Sequence, residues 1–219
     1  MYAFEPDKIP TRAAYEAGAK AFESLVEAYA RDHDGAYPDK LAFSLWSSDA
    51  IRTLGIAEAQ VMHALGVRPV WDRGGRVTAL EMIPQSELGR PRVDVVIQVT
   101  SVYRDQFDAI MRNYAAAIEA LAALPESESP VAVNVAKVRA SLMAKGVDAA
   151  VAKRLAAIRI FSNPPGDYGS GVTQAAMDST SWDDDSYLAE TYFNSQSFAY
   201  GSEDWGTPVR EMALFEAQL

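Results

Sequence analysis

Cysteine is absent from the 219 residues, and histidine occurs only at His33 and His63. The chain can therefore form no disulfide, thiolate metal site or cysteine nucleophile of its own, and this leaves its redox compartment open. Basic charge is also scarce. Twenty Lys and Arg stand against thirty Asp and Glu, a net charge of -10 with no Lys/Arg-rich run, which argues against nucleic acid as a partner. No stretch approaches the roughly 18 consecutive apolar residues of a membrane span. The opening "MYAFEPDKIP" lacks the basic and apolar regions of a signal peptide. The expectation is a soluble, cytoplasmic protein. What is present is a 49% hydrophobic content, enough for a core in one large domain or two small ones.

Periodicity supplies the elements. Tyr15, Phe22, Leu25, Val26 and Tyr29 recur at helical spacing after Pro10, predicting a helix from Thr11 to about Ala30. "LAFSLW" (41–46) is short, apolar and partly aromatic, and it reads as a buried strand passing into a loop at "SSD". A helix over Ile56 to Leu65 closes at Gly66. "VRPVW" and "VTALEMI" follow as strands around Gly74 and Gly75, one of them at an edge because Pro69 cannot donate to a ladder. "VDVVIQVT" (93–100) is the most strand-like run, and Phe107, Ile110, Met111, Tyr114, Ile118 and Leu121 share one helical face after it. Two shorter helices, Val131 to Ala144 and Asp148 to Ala157, precede a last strand, "AIRIFS".

Strands alternating with helices in this way predict an α/β fold. We expect a three-layer sandwich with a mostly parallel sheet over 1–165, followed by a short helical part over 166–219. Its functional loops should be the strand-end segments "WSSDAIRT", "TSVYRD" and "SNPPGDYGSG". A last amphipathic pattern starts at Thr207 and Pro208 and includes Met212, Phe215 and Leu219. The chain stops while that pattern continues, so we expect a segment cut from a longer polypeptide.

Several candidate sites have structural explanations beside the functional ones. His63 has no second ligand at metal spacing on its helix and reads as a packed or surface residue, while His33 in "RDHDG" reads as helix-end chemistry. "GDYGSG" has neither the Walker ending nor the GxGxxG spacing, and a turn before a helix accounts for it. Arg104 and Asp105 follow a strand directly. They either project at the ligand-binding edge of a sheet or pair with each other at a helix start. In "SWDDDSYLAE", Ser181 can cap a helix with Asp184 at the capping-box position, yet three adjacent carboxylates exceed what one cap requires.

The motifs "MYAFEPDKIPT", "GVRPVWD", "IPQSELGRPRVDVV", "YRDQF", "RIFSNPPGDYGSG" and "SWDDD…SFAYG" occur here in one order. Together they make the chain resemble, over essentially its whole length, the large subunit of the aerobic cobaltochelatases and the similar H subunit of magnesium chelatase. The resemblance implies a segment toward the C-terminal part of a tetrapyrrole-binding subunit. It implies a ligase reaction that forms nitrogen–metal bonds, with cobalt entering hydrogenobyrinic acid a,c-diamide for cobalamin synthesis. The alternative is magnesium entering protoporphyrin IX for (bacterio)chlorophyll synthesis.

The divalent cation is then substrate (Co2+, with Mg2+ the alternative), and ATP is used by AAA-type ATPase partner subunits rather than bound here. Other partners are the tetrapyrrole and the remainder of the large subunit. The resemblance points to Trp182 lying against the macrocycle and to Asp184 as the catalytic carboxylate. Asp184 and Asp185 are transient metal ligands, and Arg104, Asp105 and Tyr168 contact substrate. The family's histidine and glutamate motifs, including a His-Gly-Thr type segment, have no counterpart here, so the segment alone should be inactive. "GVRPVWD" and "GRVTALEMIP" lie nearer the cobalt branch. Two further readings are a non-catalytic docking or scaffold domain for the ATPase subunits and a free-standing α/β small-molecule binding protein.

Overall fold

A computed structural model describes residues 4–125, 127, 129–178, 180, 182 and 184–219. A 3₁₀ turn at Pro6–Lys8 leads into α1 (Arg12–Asp32), where the Thr11 hydroxyl accepts from the Ala14 N–H and caps the helix. Then come β1 (Lys40–Leu45), α2 (Ser47–Thr53), α3 (Ile56–Leu65), β2 (Val67–Trp71), β3 (Val77–Met82), α4 (Gln85–Leu88) and β4 (Asp94–Val99). The middle of the chain forms α5 (Ser101–Gln106), α6 (Asp108–Ala122), α7 (Pro130–Ala144), α8 (Ala149–Ala156) and β5 (Ile160–Ser162). Last are α9 (Val172–Met177), α10 (Ser186–Gln196), β6 (Phe198–Tyr200), β7 (Trp205–Pro208) and α11 (Leu214–Gln218).

The main sheet runs β1-β4-β5-β6-β7. β1, β4 and β5 are parallel, whereas β6 and β7 add antiparallel strands to the β5 edge. Strand alternation divides the core into two layers. Val95, Ile97 and Val99 of β4 pack with α1, α3, α5 and α6. Val96 faces the other way, into a cluster with α7, α8 and α11 against which Tyr192 and Phe193 of α10 pack. The expected α/β sandwich with a mostly parallel sheet and short helices toward the C-terminus is the fold observed.

Three local expectations need correction, and one expected pair of strands stands apart from the main sheet. "SSDAIRT" is helix α2 rather than a loop. "AIRIFS" forms only the three-residue β5, because Ala157 is the C-cap of α8 and the buried Arg159 then turns to Asp94 of β4. "VRPVW" and "VTALEM" form a separate two-stranded hairpin, held by the Arg92 guanidinium on the carbonyls of Leu65, Gly66 and Ile83. The helix expected from Thr207 is strand β7, since pairing with β6 outweighs the local helical pattern. That helix begins only at Leu214, after Ala213 adopts a left-handed φ of 49°.

Glu58 of α3 lies in the interior, 1% exposed, with its Oε2 unpartnered among the described residues. Burial, with the negative charge of Asp49 adding to it, pushes its carboxyl pKa up from the usual 4.5, against hydrogen bonding that lowers it. A carboxyl that binds its proton more tightly when folded stabilises the fold below the unfolded pKa. That contribution is lost as pH rises through the folded pKa. Glu58→Gln should therefore leave the urea midpoint near wild type at pH 4 and exceed it by a growing margin as pH rises above 4.5. Parallel urea titrations of both proteins across that range check this, and a constant difference would contradict it.

Candidate functional site

Parallel strands point their C-terminal ends to one edge of the sheet, and loops leaving that edge converge. Here the ends of β1, β4 and β5 open into a cavity of about 500 Å³. β1 and its exit contribute Ser44, Trp46 and Ser47, and β4 and its exit contribute Gln98, Thr100 and Ser101. Asn163 and Gly169 line it from the segment after β5, and Tyr192 and Gln196 from α10. All three loops named from the sequence meet here. Among the described lining residues none carries a formal charge.

Arg104 shapes this cavity from behind. Its guanidinium is 3% exposed. Nη1 donates to the carbonyls of Asn163 (3.1 Å), Pro164 (2.7 Å) and Asp167 (3.3 Å), and Nε donates to Asp105 Oδ1 at 2.7 Å. The Tyr168 hydroxyl donates to the other Asp105 oxygen at 2.7 Å. The bond from Arg104 holds the Asp105 carboxyl below the usual range, and the Asp105 carboxylate in turn raises the Tyr168 phenol. Gly169, at φ +81°, completes the turn. Its carbonyl accepts from Asn163 Nδ2 at 2.7 Å and its N–H donates to Ser101 Oγ at 3.4 Å. Arg104, Asp105 and Tyr168 are thus brought together, and Arg104 serves as the strut of the 163–169 turn. Tyr168 remains 62% exposed beside it.

Trp182 and Asp184 stand elsewhere. Neither is among the described residues lining the cavity. The Trp182 indole donates to the Ala175 carbonyl of α9 at 2.7 Å, which fastens the connection between α9 and α10. Asp184 Oδ1 accepts from the Ser186 N–H at 2.7 Å, and contact with Ser186 lowers its carboxyl pKa. The helix therefore starts at Ser186, later than the capping box required. Asp184 closes the turn ahead of it, and the exposed Asp185 is the N-cap residue without a side-chain cap bond. Ser181 and Asp183 lie outside the described residues. Among the described residues no three His, Asp or Glu side chains gather at metal-holding spacing.

The two histidines serve packing. His63 stacks on Tyr15 at 4.3 Å and places Nε2 3.0 Å from the Tyr15 carbonyl, and burial lowers its pKa. His33 is the C-cap residue of α1, with Nδ1 2.8 Å from the Tyr29 carbonyl.

The family model described as CobN/Magnesium Chelatase matches residues 1–219. The chain belongs to the CobN/magnesium chelatase family. It is 40% identical over 214 residues to the aerobic cobaltochelatase subunit CobN of Pseudomonas aeruginosa, covering 96% of this chain and 17% of that protein. It is 38% identical over 220 residues to the chloroplastic magnesium-chelatase subunit ChlH of Oryza sativa subsp. japonica, covering all of this chain and 15% of the relative. The solved catalytic subunit of cobaltochelatase from Mycobacterium tuberculosis superposes with a TM-score of 0.84 at 35% identity, over 96% of this chain and 17% of that one. The chain thus spans about one sixth of the length of these chelatase relatives.

The segment also contains residues that the sequence analysis did not single out. Gln98, Gln196, Ser44 and Tyr192 all line the cavity. Gln98 could have been noticed as the one uncharged polar side chain within "VDVVIQV", at the strand end where ligands bind. Gln196 carries no such signal, because only the fold brings it to β4.

Proposed function

We propose that this chain acts within the tetrapyrrole-binding large subunit of an ATP-dependent metal chelatase, inserting cobalt into hydrogenobyrinic acid a,c-diamide in the cytoplasm. The observation that carries this reading is the family match over all 219 residues together with the cobaltochelatase-like fold. Cobalt is preferred to magnesium and protoporphyrin IX on "GVRPVWD" and "GRVTALEMIP". AAA-type ATPase subunits supply ATP hydrolysis, and the remainder of the large subunit completes the site, so the isolated 219 residues insert no metal.

Insertion replaces two pyrrole N–H protons by bonds from nitrogen to the cation and releases two protons. The chain's residues divide this work unevenly. A carboxyl whose pKa is lowered is a poor proton acceptor at neutral pH, but it is a permanent anion with hard oxygens. Asp184 is exposed and held ionised by its bond to Ser186, so it suits delivery of the hydrated cation more than removal of a pyrrole proton. Asp185 adds a second carboxylate to that path. Trp182, anchored through Ala175, offers an aromatic face beside them, and Tyr168 offers another near the cavity.

The test is Asp184→Asn in the full-length subunit assembled with its ATPase partners. Loss of the anion should slow cobalt insertion roughly 100-fold or more, as followed by the absorbance of the metallated macrocycle, with little change in unfolding midpoint. Insertion at the normal rate with intact assembly would remove Asp184 from the chemistry and favour the docking or scaffold reading for this segment.

A further inference from the structure

One wall of the cavity is a directional chain of hydrogen bonds. The Trp46 indole N–H donates to Ser44 Oγ at 3.1 Å, and Ser44 donates to Gln98 Oε1 at 2.8 Å. Gln98 Nε2 donates to Gln196 Oε1 at 2.8 Å, Gln196 Nε2 to Ser195 Oγ at 3.2 Å, and Ser195 to the Tyr192 carbonyl at 2.9 Å. Two carbonyls fix the direction. A backbone carbonyl can only accept, so the Tyr192 carbonyl takes the Ser195 hydrogen and the Val99 carbonyl takes an amide hydrogen of Gln98, and both amides are held in one orientation.

This orientation decides what remains for a ligand. The second N–H of Gln98 is committed to the Val99 carbonyl at 3.0 Å, so the spare capacity of Gln98 is its oxygen. Ser44 Oγ also keeps a lone pair. On the same cavity, Thr100 Oγ accepts from the Tyr103 N–H and Ser101 Oγ from the Gly169 N–H, which leaves both hydroxyl hydrogens to donate. The cavity therefore offers acceptors and neutral donors together, with no charged side chain among its described lining.

A primary carboxamide matches this set, bringing two N–H donors and one carbonyl acceptor. An ionised carboxylate is acceptor only, would face the oxygens of Gln98 and Ser44, and would be desolvated without a counter-charge. At the mouth, Trp46 is 55% and Val102 46% exposed, a ledge for the flat apolar body of a ligand whose side arm enters. We infer that this cavity receives a primary carboxamide side arm of the macrocycle and so distinguishes amidated from free-acid tetrapyrroles. The inference rests on the macrocycle-binding function proposed above and assigns its side-arm specificity to Gln98 and Ser44 rather than to Asp184.

The experiment compares binding of hydrogenobyrinic acid a,c-diamide with that of the same macrocycle carrying those two groups as free acids, by absorbance titration of the full-length subunit. Wild type should prefer the diamide by about tenfold or more. Gln98→Met, which removes the oriented acceptor at similar size, should bring the ratio close to one. Ser44→Ala, at an exposed position that leaves the core untouched, removes the second acceptor beside Gln98 and should shrink the ratio as well. Equal binding of the two macrocycles by wild type, or a ratio unchanged in both folded variants, overturns the carboxamide assignment alone. Binding of neither macrocycle by wild type overturns the function on which it rests.

Discussion

Replacing Asp94 by alanine should cost the fold about 3 to 5 kcal/mol, the range for breaking a buried ion pair by removing one partner. Asp94 and Arg159 both have fully buried side chains. Arg159 Nε lies 3.0 and 3.2 Å from the two carboxylate oxygens, and Nη2 lies 3.1 Å from the second. The carboxylate also accepts from the Val95 N–H at 2.8 Å and from Asn134 Nδ2 at 2.9 Å. Without Asp94 the guanidinium keeps only the carbonyls of Ala156 and Ile158, and its charge is stranded between β4 and α8. The double change Asp94→Leu with Arg159→Met should recover much of the loss, because an apolar pair of similar volume removes both desolvation penalties. Urea unfolding at pH 7 measures both proteins. A loss below about 1 kcal/mol for Asp94→Ala would mean that Asn134, which now donates to Asp94, turns its amide oxygen to accept from Arg159.

Arg104→Met should have the second largest effect, near 3 kcal/mol, since hydrogen bonds from a charged donor contribute about 1.5 to 3 kcal/mol each and several are lost together. The loss would be local as well as global. With the strut gone, the carbonyls of Asn163, Pro164 and Asp167 lose their shared donor, and Asp105 loses the cation that faces it. Amide exchange at Tyr168 and Gly169 should rise well above that of β4. Arg104→Lys should rescue little, because a single ammonium cannot reach Asp105 and the three carbonyls as the planar fork does. Unchanged unfolding energy together with unchanged exchange at the turn would show that Gly169 and Asn163 hold it unaided.

Much of the fold was legible in the sequence where local pattern and tertiary demand agree. "VDVVIQVT" reads as a strand because its apolar residues serve both faces of a covered sheet, and the helices expected from Thr11 and from Asp148 start where those two residues cap them. β6 and β7 were not legible. "FAY" and "WGTP" are too short to show a period, and the second contains a glycine and a proline, so only pairing, of β6 with β5 and of β7 with β6, makes strands of them. The site was half legible for a similar reason. The three strand-end loops follow from topology, and the Arg104–Asp105 pair follows from adjacency. The contact between Gln98 and Gln196 joins residues 98 positions apart, and nothing local announces it. Asp184 was conspicuous in the sequence but is not among the described residues lining the cavity, and α10 starts at Ser186 with Asp185 as its N-cap, four residues later than a cap at Ser181 would place it.

The late antiparallel strands bear on the order in which the molecule can assemble. β5 is paired on one side by β4 and on the other by β6, and β6 arrives some 36 residues after β5 ends. During synthesis the three parallel strands can associate first, but the hydrogen-bonding groups along the far side of β5 stay open until residues 198–200 have emerged. An open strand edge is a template for pairing with another chain. The interval between β5 and β6 is therefore a period in which the β5 edge of a nascent chain is open to self-association, and the arrival of β6 closes that edge.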